Sequence, residues 1–323
     1  MIYQWNYEPL TPEESVESQR LAEVLGIHPV FGRMLRERCI FSAGEARRFF
    51  RPQLTELHDP FLMNDMQKAV DRLNFAIRRN ERIMVYGDYD VDGVTAVALV
   101  YKFISKLYKN VDYYIPDRYE EGYGVSEKGI DFAAETGVKL IIVLDCGIKA
   151  VSEVAYAKSM GIDFIICDHH VPDEDLPQAV AILNPKRRDN HYPYTHLSGC
   201  GVGFKFMQAF ASNNGIEFNQ LGDMLDLCAV SIASDIVPIM GENRILAHHG
   251  LRRLNSCPTI GLQAIVESCG LGDRELTMND IIFKIGPRLN ASGRMQNGKE
   301  AVKLLVEQDY AVAQELATHI NLY

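Results

Sequence analysis

Short runs of uninterrupted apolar residues alternate with segments whose apolar positions recur every three or four residues through the middle of the chain. Ile83–Tyr86, Val111–Ile115, Leu140–Leu144 and Phe164–Cys167 read as strands, with Val180–Leu183 as a fifth. Between them, Val94–Tyr108, Ser126–Glu135 and Ala150–Met160 carry the helical period. Strands without polar interruptions are covered on both faces, and strand–helix alternation joins them in parallel. The expected fold class is therefore α/β, with a mostly parallel five-stranded sheet flanked by helices.

Outside this core the pattern is helical. Thr11-Pro12-Glu13-Glu14 and Ser42-Ala43-Gly44-Glu45 are helix starts, and Met66–Ile77 keeps the helical period. After about residue 198, helices are expected at Gly203–Ser212, Leu221–Ala233, Arg244–Leu254, Ile260–Ser268 and Lys299–Ile320. The predicted organisation is an N-terminal helical segment over 1–60, a main domain over 61–298 and a final helix from 299 to 323. That last helix carries apolar residues to its end with no stop signal, as a connector to further chain would.

Composition changes this picture little. With 47% hydrophobic and 24% charged residues in 323, disorder, collagen and coiled coil are excluded as global descriptions. The longest apolar runs fall far short of the ~20 residues of a membrane span, and Met1–Ser15 lacks the basic start and apolar core of a signal peptide. A cytoplasmic protein without membrane association is expected. Seven cysteines without a CxxC pair read as reduced thiols and argue against a cysteine-built zinc site. The net charge of −10 argues against a protein coated in basic surface, but a local basic groove remains compatible with it.

Charge matters more by position. Ligands of an open parallel sheet bind beyond the carboxyl ends of its strands, and here those ends are acidic. The first strand runs into Gly87-Asp88-Tyr89-Asp90-Val91-Asp92-Gly93, the third into Asp145-Cys146-Gly147, and the fourth into Asp168-His169-His170. In extended chain, Asp88, Asp90 and Asp92 would project to one side. Carboxylates that close raise one another's pKa unless a cation neutralises them. Gly87 and Gly93 allow tight turning there. An EF-hand fails because its twelfth position would be Leu99. Asp235 supplies a further acid at the end of a small-residue helical stretch. Imidazole with several carboxylates suits Mn²⁺ or Mg²⁺. Two such ions about 3.5–4 Å apart can clamp a phosphoryl group, activate water and stabilise the leaving oxygen.

Basic and glycine-rich segments complement the acids. Gly286-Pro287-Arg288-Leu289-Asn290-Ala291-Ser292-Gly293-Arg294 sets two arginines and an asparagine among small residues, and guanidinium forks match phosphate oxygens. Leu197-Ser198-Gly199-Cys200-Gly201-Val202-Gly203, before a helix, could cradle an anion at the helix N-terminus. No P-loop motif occurs.

In order and spacing, these segments together resemble the DHH phosphoesterase family. Ile115-Pro-Asp-Arg-Tyr-Glu-Glu-Gly-Tyr-Gly124 and the 286–294 segment are similar to its single-strand-specific 5′→3′ DNA exonuclease branch. The resemblance implies a metal-dependent exonuclease of DNA repair and recombination, with single-stranded DNA as substrate and a helicase or single-strand binding protein as possible partners. It implies two ions, Mn²⁺ or Mg²⁺, held by Asp90, Asp92, Asp145, His169 and Asp235, with Asp145 bridging. Asp88 is implied as an auxiliary acid and His170 as a contact to the scissile phosphate. Arg118, Tyr123, Arg288, Asn290 and Arg294 are implied to hold DNA, and Gly87, Gly93 and Asp168 to complete the motifs. Tyr86 stands where several family members carry a metal-ligating histidine. The C-terminal domains that follow in that branch do not appear before Tyr323. The alternative within the family is a phosphoesterase of small substrates such as oligonucleotides, cyclic dinucleotides or pyrophosphate. A receiver-type module would need neither Asp168-His169-His170 nor Asp235.

Overall fold

The computed structural model describes residues 8–295 and 298–321, with the side chains of 292–295 left aside. The chain divides into two compact units, Met1–Glu56 and Leu57–Tyr323. The first consists of helices at Pro12–Leu25, Pro29–Arg36 and Ala43–Phe50. Both expected capping boxes are formed, Thr11 with Glu14 and Ser42 with Glu45.

The second unit is an α/β domain. Its strands are β1 (Arg82–Gly87), β2 (Val111–Tyr114), β3 (Val138–Leu144), β4 (Asp163–Cys167) and β5 (Ala181–Leu183). All pairings are parallel and the spatial order is β2-β1-β3-β4-β5. The helices used below are α1 (Met66–Arg78), α2 (Val91–Leu107), α3 (Glu127–Glu135), α4 (Val151–Ser159), α5 (Gly199–Asn213), α6 (Leu225–Ser234) and α7 (Gly241–Ser256). They continue with α8 (Ile260–Ser268), α9 (Gly286–Met295), α10 (Gly298–Val306) and α11 (Tyr310–Ile320).

Strand periodicity sorts the sheet into two buried faces. Met84, Tyr86, Ile141, Val143, Phe164 and Ile166 pack with Ile130 and Ala133 of α3 and Val154 and Ala157 of α4. The alternate residues, among them Val85, Ile142 and Ile165, are fully buried on the other face, where α2 packs along β1 and α5 along β3 and β4. Behind α5, Lys205 and Glu242 form a buried ion pair at 3.0 Å. It is completed by Tyr192 Oη donating to Glu242 and by Lys205 Nζ donating to the His58 carbonyl. Every charge there has a partner, which is the condition for burying one.

Three expectations are corrected. The helix expected from Val94 begins at Val91, because Asp90 caps it by accepting from Gly93 N at 2.9 Å. Asp88, Asp90 and Asp92 therefore do not form one extended row. The helix expected over Leu221–Ala233 is broken, with Asn219–Gly222 separate from α6. Lys299–Ile320 is likewise two helices, α10 and α11. Asp309 interrupts them as an N-cap, accepting from Ala311 N and Val312 N. Segment 286–294 lies within a helix, preceded by a π-helical turn at Ile281–Ile285.

Candidate metal centre

The sheet order reverses at β1: the chain leaves β1 for β2 on one side and reaches β3 on the other. Such a switch point opens a crevice beyond the carboxyl ends of the two strands. Asp88 and Asp90 follow β1 there, and Asp145 follows β3. Asp145 has φ 60°, a left-handed conformation that short polar residues tolerate, and its amide donates to Cys167 O of the neighbouring strand. The turn holds the carboxylate at the rim while keeping it 1% exposed.

Asp92 lies in the first turn of α2 and points at the N-terminus of α5. Its carboxylate accepts from Gly199 N at 2.6 Å, Cys200 N at 2.8 Å and Ser231 Oγ at 2.7 Å. The anion cradle legible in 197–203 is thus occupied by the protein's own carboxylate. Gly199 is required for a second reason, because a Cβ there would lie 2.5 Å from Asp145 Oδ1.

His169 brings these acids together. Its Nε2 is 3.1 Å from Asp145 Oδ1, 3.7 Å from Asp92 Oδ2 and 3.7 Å from Asp235 Oδ2. Asp145, His169 and His170 offer donor atoms within 4.8 Å of one another, and so do Asp92, His169 and Asp235. Asp90 adjoins them, near enough that its charge acts on Asp145.

The electrostatics are those of a site built for cations. Burial pushes Asp145 well above the usual carboxylate range, and the charges of Asp92, Asp90, Asp168 and Asp235 add to it. Asp88 is raised to about 7 by burial and then by Asp90. Asp235 is raised to about 7 by burial and then by Asp92 and Asp90. Burial lowers the pKa of His169, which keeps its ring neutral and able to ligate. Asp88 Oδ1, Asp145 Oδ1, Asp235 Oδ2 and both His169 nitrogens are buried without hydrogen-bond partners. Unsatisfied buried oxygens and imidazole nitrogens that converge are the donor set of Mn²⁺ or Mg²⁺, so these residues fit the metal.

Asp168 plays another part. Burial works to raise its pKa, but the His170 ring and backbone amides hold it below the usual range. It accepts from Ile148 N, His169 N, His170 N and His170 Nδ1, the last at 2.8 Å. That bond raises the pKa of His170, whose ring is half exposed.

Residues 82–232 match the family profile described as DHH family, N-terminal domain. That stretch is a DHH-family domain. The DHH domain is accompanied by similarity over most of the chain to the single-stranded-DNA-specific exonuclease RecJ of Bacillus subtilis (strain 168), 40% identical over 301 residues. That match takes in 93% of this chain and 38% of that protein. RecJ of Escherichia coli (strain K12) is 35% identical, over 91% of this chain and 52% of that protein. The chain thus spans about half or less of the length of these curated relatives. Among solved structures, exonuclease RecJ bound to manganese superposes with a TM-score of 0.74 at 30% identity, covering 83% of this chain and 66% of that one. RecJ in complex with Mn²⁺ from Thermus thermophilus gives 0.81 at 26% identity, covering 96% and 44%.

Around the DHH centre lie two cavities. One of about 370 Å³ is lined by Asp90, Asp92, Ser234, Asp235, Pro287 and Asn290. The other, about 390 Å³, is lined by Tyr123, Cys146, Ile148, Lys149, Asp168 and His170. Asn290 and Tyr123 are therefore at the site. Tyr123 lies edge-on to His170 and to Tyr89, over which Arg118 stacks at 5.1 Å. Arg288 is elsewhere: its guanidinium donates to Lys284 O and to Asn321 Oδ1. The Arg294 side chain lies outside the described residues. Gly199, Ser231 and Tyr89 were not singled out individually from the sequence. The small-residue run before α5 was the one signal for Gly199, and nothing local marks Ser231.

Tyr86 is turned away from the ligands. It is 1% exposed; its hydroxyl donates to Gly124 O at 3.0 Å and accepts from Ser126 N at 3.2 Å. Ser126 Oγ donates in turn to Glu121, which also accepts from Tyr114 Oη and Asp117 N. This network ties loop 115–126, with Arg118 and Tyr123, to β1. Tyr86→Phe should cost about 1–2 kcal/mol and open a protease-sensitive site within 117–126. Calorimetric titration should find Mn²⁺ affinity unchanged, because the lost hydroxyl touches no ligand.

Proposed function

We propose that this chain carries the catalytic DHH domain of a metal-dependent exonuclease that hydrolyses single-stranded DNA from its 5′ end. The observation that carries the reading is the convergence of Asp92, Asp145, His169 and Asp235 at the switch point of the sheet, with buried Asp145, Asp235 and His169 atoms that lack hydrogen-bond partners. Relatives named as single-stranded-DNA-specific exonucleases support the substrate, and solved RecJ structures with Mn²⁺ support the ion.

In this reading Asp90, Asp92, Asp145, His169 and Asp235 would hold two divalent ions. When bound, the ions supply charge neutralisation at the phosphoryl oxygens and activation of the attacking water. With Tyr86 engaged in loop 115–126, the ion beside Asp90 has no imidazole from β1, so it is the weaker of the two. Asp168 fixes the His170 ring through Nδ1–H, leaving Nε2–H to donate to a phosphoryl oxygen as negative charge grows there. Asp88, with its pKa near neutrality, can hold or release a proton at the working pH. The Tyr123 ring and the Arg118 guanidinium plane, itself stacked on Tyr89, are surfaces on which bases of an unpaired strand can stack.

The test is a single-stranded oligonucleotide labelled at its 3′ end, incubated with Mn²⁺ and sampled over time. Progressive shortening from the 5′ end is expected. Hydrolysis of a dinucleotide without shortening of the long strand would replace this reading with a small-substrate phosphoesterase.

A further inference from the structure

Helix α7 presents a positive face in a chain whose net charge is −10. It packs chiefly on α6. Leu246, Ala247 and Gly250 are buried, while Arg244, His248, His249 and Arg253 are half-buried and Arg252 is exposed. Arg244, His248 and Arg252 are four residues apart, so they share one side of the helix. Glu242, the helix's one acid, is buried in its pair with Lys205 and does not offset them. The charged groups acting on His248 are His249, Arg252 and Arg244, with no carboxylate among them. Like charge gathered on one side of a helix, with Arg252 exposed, suits an anionic ligand.

The direction of this face relative to the metal centre is set by the α6–α7 hairpin. Asp235 caps the C-terminus of α6. Six residues later α7 begins, with Asn243 Nδ2 donating to Pro238 O. At its other end, Gly250 lies against the Leu225 carbonyl, and Arg253 pairs with Asp223 before the start of α6. The helices are therefore antiparallel. Arg244 lies at the metal end, and Arg252 is about 12 Å further away along the axis. Lys186, whose charge acts on both His169 and Asp235, adds a cation beside the centre itself.

We infer that the Arg244–His248–Arg252 face of α7 is a phosphate track for single-stranded DNA, carrying the strand away from the metal centre. This rests on the nuclease reading above and adds to it a surface that lies outside both cavities. The track follows the backbone without reading bases, so its signature is electrostatic.

The test is anisotropy of a 3′-fluorescein 20-mer oligothymidylate with cleavage-resistant phosphorothioate linkages, in Mn²⁺, across 50–300 mM KCl. Arg252→Ala should weaken binding roughly three- to fivefold and flatten the log K against log salt slope by about 0.7, one phosphate contact on a single strand. Arg252→Glu should weaken it about tenfold or more, because a repulsion replaces the contact. Lys139→Ala, at the opposite end of β3 from the centre, is the control for bulk charge. An Arg252→Glu protein with wild-type affinity and slope would overturn the track, and so would a wild-type chain that fails to bind the 20-mer. If wild-type binds with an Arg252-dependent slope but never shortens an unmodified strand, the track stands and the nuclease reading falls. Shortening with no dependence on Arg252 is the reverse.

Discussion

Asp145→Asn should abolish Mn²⁺-dependent hydrolysis while making the metal-free protein more stable. Asp145 is buried, left-handed at φ 60° and surrounded by the charges of Asp92, Asp90, Asp168 and Asp235. Asparagine fits the same space and tolerates the same backbone conformation. It removes a charge that the metal-free fold must bury, and its amide can donate to the neighbouring carboxylates. Relief of buried, uncompensated charge is worth about 1–3 kcal/mol. Loss of a ligand proposed to serve the metal centre should lower the rate at least about a thousandfold, the factor that several kcal/mol of lost transition-state stabilisation produces. A thermal melt in EDTA and a single-turnover assay in Mn²⁺ read the two effects separately. A variant that is less stable in EDTA, or that keeps its Mn²⁺-dependent rate, would contradict the assignment.

The second large effect is on stability against pH. Asp88 and Asp235 have folded pKa values of about 7, against an ordinary value of 3.8. The folded chain therefore holds protons that the unfolded chain has released between about pH 4 and pH 7. Stability must fall across that window as pH rises, and the full penalty applies above it. His170, whose pKa is raised by its bond to Asp168, adds to the decline as pH passes that pKa. With the two acids partly solvated, the loss is on the order of a few kcal/mol, or roughly 5 °C in Tm for a unit of this size. In EDTA, Tm should drop by that amount from pH 5.5 to pH 8. Mn²⁺ at 100 times its Kd contributes about 2.7 kcal/mol, so it should recover most of the drop at pH 8 and much less at pH 5.5, where protons compete for the same oxygens. A flat EDTA profile that Mn²⁺ does not move would show that these carboxylates are not a cation site.

Much of this was legible in the residues. The five strands of the sheet follow from apolar runs, three of which stop abruptly at Gly87, Asp145 and Asp168 and so place acids at their carboxyl ends. A parallel sheet has only one edge where ligands bind. Asp145 and His169 follow from that edge, whereas the addition of Asp92 and Asp235 to them was implied by the family resemblance. What local pattern could not carry was orientation. Asp90 could be a ligand or a helix cap, and Gly93 N decided for a cap without removing it from the site. The 197–203 segment reads equally as a cradle for substrate or for an internal carboxylate, and only the position of Asp92 distinguishes them. Arg288 and Asn290 are two residues apart, so on a helix they point in different directions. Without the helix, the sequence of 286–294 could not separate the residue at the cavity from the one bonded to Asn321.

The three bonds that hold Asp92 also govern when the centre can come into being. Its partners are 107, 108 and 139 residues further along the chain. During synthesis, the loop after β1 therefore emerges long before the amides and hydroxyl that orient it, and Asp235 follows later still. Pairings this distant close slowly. Until they close, an ion has only a flexible acidic loop to bind, so metal capture belongs to the last stage of folding. A chain interrupted before residue 235 would carry all five strands and still lack one of the proposed ligands.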